Sequence, residues 1–359
     1  MTITRVVFTA LLLPAFSLAA CTSVDSHKLA APSAVHSAPP HEGSCSASNL
    51  GVTAVTAGAT PDLLDRQSRE ISERKIRWVR LTIEWPIVNQ EFGTFDWTST
   101  DNLVNSFHDR GTEILGVATW APTWAVPPQN QLVKHPAPAD PARFAEFVSI
   151  ATKRYQNRIR TWEIWNEPNI GIAFGPGVNV NLYAAMLIRS YAAIKAIDPN
   201  IVVVSGATAP TVDNGYDLSP ASFFEQLYRE GAGHSFDAIA MHPYSDHGFL
   251  SRYFGEGSSA NAIAQVRMTM VRNGDAKKKI WFTEFGATTG GPRALSEPDQ
   301  AAFLVDGINY LKALPFCGGI FVFDYRDVET GSPVADFNYG LVRSDFTPKE
   351  SLAAVLGTL

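Results

Sequence analysis

Charge is scarce in this chain of 359 residues: 18% are Asp, Glu, Lys or Arg, the formal net charge is −6, and no extended block of Lys and Arg occurs. Without such a block there is nothing to neutralise a phosphate backbone, so nucleic acid is excluded as a partner. Cysteine is nearly absent, with three residues, Cys21, Cys45 and Cys317. No His-x-His or HExxH spacing accompanies His242, which argues against a bound metal, and no cofactor is expected. No glycine-rich phosphate loop follows the first strand-like run, which disfavours a doubly wound open sheet. There is no internal repeat. The one apolar run near the start, residues 6–20, is too short and too rich in small residues at its end for an ordinary transmembrane helix.

What is present begins with that leader. Arg5 precedes the apolar run, and Leu18-Ala19-Ala20-Cys21 resembles a bacterial lipobox, which implies a signal peptide over residues 1–20, cleavage before Cys21 and lipid on its sulfur. The alternative is a simple secretory signal cut nearby; either places the mature chain outside the cytoplasm, touching a membrane only through its lipid anchor. Residues 21–44 are rich in Ala, Ser, Pro and His without periodicity, as a disordered tether would be. Residues 45–359 form the remaining unit, and 45% hydrophobic content gives it a large core.

Over that unit, apolar runs alternate with helical stretches eight times, the runs lying at 51–57, 78–83, 114–119, 161–166, 201–206, 238–242, 280–285 and 319–324. Each is short and apolar on both faces, as parallel strands covered by helices must be. Thr60-Pro61, Asp140-Pro141 and Ser219-Pro220 each set a capping oxygen before a proline suited to the first helical turn, and Gly111, Gly231 and Gly274 follow helical runs as stops. Eight such units over one domain predict an α/β fold, a single (β/α)8 TIM barrel, with its active site at the C-terminal strand ends. A closed barrel sets its first and last strands side by side. Cys45 and Cys317, which precede those two strands, are therefore expected to form a disulfide, the alternative being two reduced thiols.

The strand ends carry the polar residues. The second presents Arg80, with Glu84 and Trp85 beyond it; the third ends at Trp120, with Trp124 following. The fourth ends in Asn166 and Glu167, the sixth in His242 and Tyr244, the seventh in Glu284, and the eighth in Phe323 and Tyr325. Ala238 and Ala240 share parity with His242 and Tyr244, leaving room inside the barrel beneath them. Asn166 and Glu167 have opposite parity, so both can face one site only if the strand bulges or twists at its end. Glu163, lower on the same strand, is expected to be a buried partner of an arginine, with Arg77 as the candidate.

Two strand-end carboxylates suggest glycosidic bond cleavage. Through Arg80, Asn166-Glu167-Pro168, His242-Pro243-Tyr244, Glu284 and the stretch Phe92-Gly93-Thr94-Phe95-Asp96-Trp97, the chain resembles the clan A glycoside hydrolases, nearest the family 39 and family 5 types. It departs from them on the eighth strand, where the clan usually places Trp and this chain has Phe323 and Tyr325. The resemblance implies a retaining mechanism with Glu167 as acid/base and Glu284 as nucleophile. It also implies that Asn166 bonds the sugar 2-hydroxyl, that Arg80 and Tyr244 hold Glu284 ionised and aimed, and that His242 orients its neighbours or binds a hydroxyl. Trp85, Trp120 and Trp124 offer candidate faces for sugar C–H surfaces. The expected partner is a carbohydrate, acted on by a secreted monomer. A transglycosylase using the same site, and a non-catalytic glycan-binding barrel, are the rival readings.

Overall fold

A computed structural model describes residues 45–245 and 248–359; the leader, Cys21 and the tether lie outside the described residues. Eight parallel strands close into one barrel in sequence order: β1 (Leu50–Thr53), β2 (Trp78–Glu84), β3 (Glu113–Thr119), β4 (Ile159–Asn166), β5 (Val202–Ala207), β6 (Ala238–Met241), β7 (Lys279–Phe285) and β8 (Cys317–Val322). The helices are α1 (Pro61–Glu73), the short α2 (Trp85–Val88), α3 (Thr98–His108), α4 (Pro141–Tyr155), α5 (Val180–Ile197), α6 (Pro220–Arg229), α7 (Ser259–Arg272), α8 (Glu297–Ala313) and α9 (Glu350–Leu356). The expected TIM barrel is what forms. All eight strands differ from the sequence reading at one end or both, most by one or two residues. β1 ends four residues early, at Thr53, because it pairs with β2 only through Arg80, and β8 begins at Cys317 rather than two residues later.

The caps explain where the helices begin. The side chains of Thr60, Asp140 and Ser219 accept from backbone N–H groups of Leu63, Ala142 and Ser222, with proline in the first turn of each helix. Gly111, Gly231 and Gly274 take left-handed φ values of 78°, 78° and 83° just past helix ends, a conformation that costs a side-chain-bearing residue more.

The core has two layers. Between strands and helices lies a large apolar cluster in which Trp85, Phe144 and Phe147 meet edge and face. Inside the barrel, Val202, Val204, Ala207, Ala238, Ala240 and Trp281 form a separate cluster of mostly small side chains. That economy of volume under His242 leaves space above it for polar groups. Cys45 and Cys317 are joined by a disulfide with Cα atoms 5.3 Å apart, tying the entry of β1 to the first residue of β8, its hydrogen-bonded neighbour.

Candidate active site

Strand parity alone would turn Trp165 into the barrel and Asn166 away from it. Instead Trp165 adopts φ 72° and Glu167 φ 49°, both left-handed. The Trp165 ring swings out to the helices, where Nε1 donates to the Ala173 carbonyl at 2.8 Å and the ring meets Phe144 and Phe174 edge-on. The kink turns Asn166 and Glu167 to the same side, as the sequence required. β7 solves the same problem with a slip: its ladder with β8 is irregular between Phe282 and Phe285, and Thr283 and Glu284 both face the site.

Arg80 binds these strands together. Its Nε and Nη2 donate to the two oxygens of Glu163 at 3.0 and 3.1 Å, Nη2 also donates to Asn166 Oδ1 at 2.7 Å, and Nη1 donates to Glu284 Oε1 at 2.5 Å. Arg80 is 2% exposed and Glu163 not at all. Arg80, not Arg77, is therefore the partner of Glu163; Arg77 pairs at the surface with Glu113. The reason is parity: Arg80 and Glu163 both point into the barrel, whereas Arg77 precedes β2.

Glu284 also accepts from the Tyr244 hydroxyl at 2.8 Å. Burial alone would raise its pKa, but the His242 ring, the Arg80 guanidinium and the hydrogen bonds from Tyr244 and Arg80 outweigh that and hold the carboxyl below its ordinary value. Tyr244 is pushed well above the ordinary phenol range by burial and by the charge of Glu284, so it stays a donor. Burial works against the charge on Arg80, yet Glu163 and Glu284 together push it above its ordinary value. Glu167 lies on the other side of His242: Nδ1 is 2.9 Å from Glu167 Oε1 and 3.7 Å from Glu284 Oε2, while Nε2 is 3.2 Å from the Thr283 hydroxyl. The ring nitrogens thus bridge Glu167 and Thr283, with the donor and acceptor roles set by the protonation of the ring. Glu167 and Glu284 are 4% and 7% exposed, so both are sheltered yet reachable.

One ligand atom each from Glu167, His242 and Glu284 lies within 4.8 Å of the others, a span a metal ion could also use. The donors are already committed, however: His242 Nδ1 to Glu167, and the two Glu284 oxygens to Arg80 and Tyr244. A buried guanidinium on one of the three would repel a second cation.

The matching region is as informative as the geometry: residues 105–351 fit the profile of the glycosyl hydrolase catalytic core. The chain belongs to that family. Solved structures with the same fold include a family 39 glycoside hydrolase from Bacteroides cellulosilyticus WH2, with TM-score 0.69 and 22% identity, covering 87% of this chain and 64% of that one. They also include a monomeric β-xylosidase from Caulobacter crescentus CB15, with TM-score 0.67 and 18% identity over 88% of this chain and 69% of that one. A third is a GH5_18 enzyme from Streptomyces cattleya in complex with GlcNAc, with TM-score 0.67 and 16% identity over 88% and 80%. The chain thus spans about two thirds of the length of the Bacteroides enzyme. Among curated proteins none matches its sequence.

On this glycosyl hydrolase barrel, Arg80, Asn166, Glu167, His242, Tyr244 and Glu284 meet at one mouth; the aromatic residues divide. Trp85 is 1% exposed, its face stacked on Phe147 at 5.6 Å and its Nε1 donating to Asn89, so it is core and offers no face to a sugar. It begins α2, which turns its ring into the helix layer. Trp124 stands edge-on to Trp85 at 5.3 Å and meets Phe92, in an outer cleft of about 100 Å³ rather than over the carboxylates. Trp120 is 8% exposed, but His135 stacks on its ring at 3.8 Å. Tyr325 is fully buried with its hydroxyl 3.1 Å from Glu70 of α1, so it faces away from the site. Phe323 stays: half-buried, it meets Tyr244 and Tyr339 edge-on at 6.3 and 5.4 Å.

Three residues of the site went unread in the sequence. Thr283 was findable as the neighbour of a strand-end Glu. So was Asp324, the last residue of the eighth apolar run, whereas Tyr339 was not, because it arrives from the loop after β8. Burial, with help from the charge of Glu284, pushes the Asp324 carboxyl up to about 8. A cavity of about 630 Å³ opens beside the start of α5 between Pro127, Pro176, Asn179 and Glu230, away from the carboxylates.

Proposed function

We propose that the chain is a retaining O-glycosyl hydrolase acting on an extracellular polysaccharide, with Glu284 as nucleophile and Glu167 as acid/base. The observation that carries this is the pair itself: two sheltered carboxylates with oxygens within 4.8 Å, one of them, Glu284, held by Arg80 and Tyr244. Retaining enzymes need carboxyl groups roughly 5 to 5.5 Å apart, while inverting ones need a wider gap to hold a water. The narrow spacing favours the former.

Glu284, kept ionised by Arg80 and Tyr244, attacks the anomeric carbon as the glycosidic C–O bond breaks, and the Glu167 proton goes to the leaving oxygen. The glycosyl ester has no charge on Glu284, so Glu167, now ionised, takes a proton from water. That water attacks the same carbon, the ester bond breaks, and Glu284 regains its electron pair. Arg80 occupies Asn166 Oδ1, which leaves the amide Nδ2 for the sugar 2-hydroxyl. Phe323 supplies an apolar wall beside Tyr244. A neutral sugar needs no charge steering toward a protein of net charge −6. The leader supports a secreted protein held to the membrane by lipid on Cys21; among the described residues no helix is long and apolar enough to cross a membrane.

Glu284→Ala should abolish hydrolysis of an activated aryl glycoside, and azide should restore turnover with inverted product. Full activity in that variant would end the assignment.

A further inference from the structure

The site contains a fourth buried charge that the two-carboxylate mechanism does not use. Glu163 is completely buried, and it takes the better half of Arg80: the Nε/Nη2 fork, two parallel hydrogen bonds, against a single bond from Nη1 to Glu284. Its oxygen Oε1 is fixed from the far side by the Ala207 N–H at 3.3 Å. We propose that Glu163 is a positioning residue that rations Arg80: by holding the guanidinium fork, it limits how strongly Arg80 stabilises the negative charge Glu284 must give up when it bonds to the sugar.

The reasoning rests on the reading of Glu284 as nucleophile. In forming the glycosyl ester Glu284 loses its charge, so any cation bound to it is held more tightly in the ground state than in the transition state, and that difference opposes the reaction. A guanidinium free to turn its fork onto Glu284 would be the strongest such brake, because bidentate Arg–carboxylate pairs are the strong ones and burial magnifies them. Without Arg80 the buried Glu284 would lose one of the groups that keep it ionised. Glu163 sets the compromise: Arg80 stays close enough to help hold Glu284 ionised and too well occupied to chelate it. Charge balance agrees. Glu163 largely cancels Arg80, so Glu284 faces a cation already shared. The other groups turned toward Glu284 are His242 and Tyr244, which follow β6, Glu167 across His242, and Asp324 two residues past β8.

The test compares kcat/KM against pH for wild type and Glu163→Gln on an activated aryl glycoside. The acid limb reports the nucleophile of the free enzyme. With the countercharge gone Arg80 acts fully on Glu284, so the limb should move about one pH unit lower and kcat/KM at the optimum should fall about tenfold. Glu163→Asp, which keeps the charge, should return the limb toward wild type. An unmoved limb in Glu163→Gln, or the same limb in the Gln and Asp variants, overturns the proposal and leaves Glu163 a structural anchor. If Glu163→Gln does not fold, Arg80→Gln and Arg80→Gln/Glu163→Gln decide the route: with no guanidinium left to ration the two limbs should coincide, and a lower limb in the double variant, the mark of direct repulsion between Glu163 and Glu284, overturns the proposal. Azide rescue of Glu284→Ala checks the nucleophile separately. Were the wild type to hydrolyse no glycoside, titrating Glu284 by carboxyl 13C NMR in wild type and Glu163→Gln would still decide the point.

Discussion

The kink that aims Glu167 depends on a residue of the neighbouring strand. Gly206 of β5 lies against β4, and a Cβ built on it would stand 2.6 Å from the Ile164 carbonyl oxygen, 3.0 Å from that of Trp165 and 3.0 Å from the Tyr183 hydroxyl. Ordinary contact begins at 3.4 Å, so in Gly206→Ala the Ile164 carbonyl must retreat by about 0.8 Å. Tyr183 cannot absorb the shift, because its hydroxyl donates to Ile164 O at 3.0 Å and accepts from Gly206 N at 2.6 Å. Overpacking of this kind costs about 1–3 kcal/mol, of which the lower conformational entropy of the unfolded Ala chain returns about 0.4–1. With an unfolding entropy of about 2.1 cal/mol/K per residue over roughly 300 folded residues, the thermal midpoint should fall by no more than about 5 °C. The protein stays folded. The site suffers more, because Ile164 is two residues before Asn166 and three before Glu167, and a displacement of about 1 Å at reacting groups costs about 100-fold. Gly206→Ala should therefore lose about two orders of magnitude in kcat/KM on an aryl glycoside while its melting curve barely moves. Wild-type turnover in a folded Gly206→Ala would refute the idea that the β4 kink positions the acid/base.

Three further outcomes follow from the same contacts. Reducing the Cys45–Cys317 bond, or replacing both residues with Ser, should cost about 2–5 kcal/mol, toward the upper end because the bond closes a separation of 272 residues, read as a lower melting midpoint with reductant. Tyr244→Phe removes the 2.8 Å hydrogen bond to Glu284, one of the groups favouring its ionised form. It should lower kcat/KM about 10- to 100-fold and move the acid limb up. Glu284 and Asp324 should bend the stability curve in opposite directions. Glu284, held below its ordinary value, contributes stability above about pH 4.5 that is lost as pH falls through its folded value, so Glu284→Gln should flatten the acid loss in chemical unfolding. Asp324, raised from 3.8 to about 8, contributes stability that is full below 3.8 and lost as pH rises through 8. Asp324→Asn should gain on wild type between pH 5 and 8.

Much of the site was legible because a parallel barrel is written locally. Each strand is a short apolar run, most helices carry their own cap, and the rule that strand ends converge turns Arg80, Glu167, His242, Tyr244 and Glu284 into one group without any long-range information. The aromatic residues were harder to place. Trp85 and Tyr325 sit one residue past a strand end and three residues past one, respectively, and the sequence does not record which way the chain turns once the ladder stops. Trp85 opens a helix and turns outward; Tyr325 follows Asp324 back toward α1.

By itself, then, the sequence determined the element order, the mouth and most of the polar residues that would reach it, since strand period and capping chemistry act over a few residues. The tertiary structure decided how Asn166 and Glu167 share a face, through left-handed φ at Trp165 and Glu167, and which acid takes the Arg80 fork. Those outcomes depend on β5 leaving room at Gly206 and on a charge balance among β2, β4 and β7. Such packing and electrostatic terms exist only once distant strands are brought together in a dry interior.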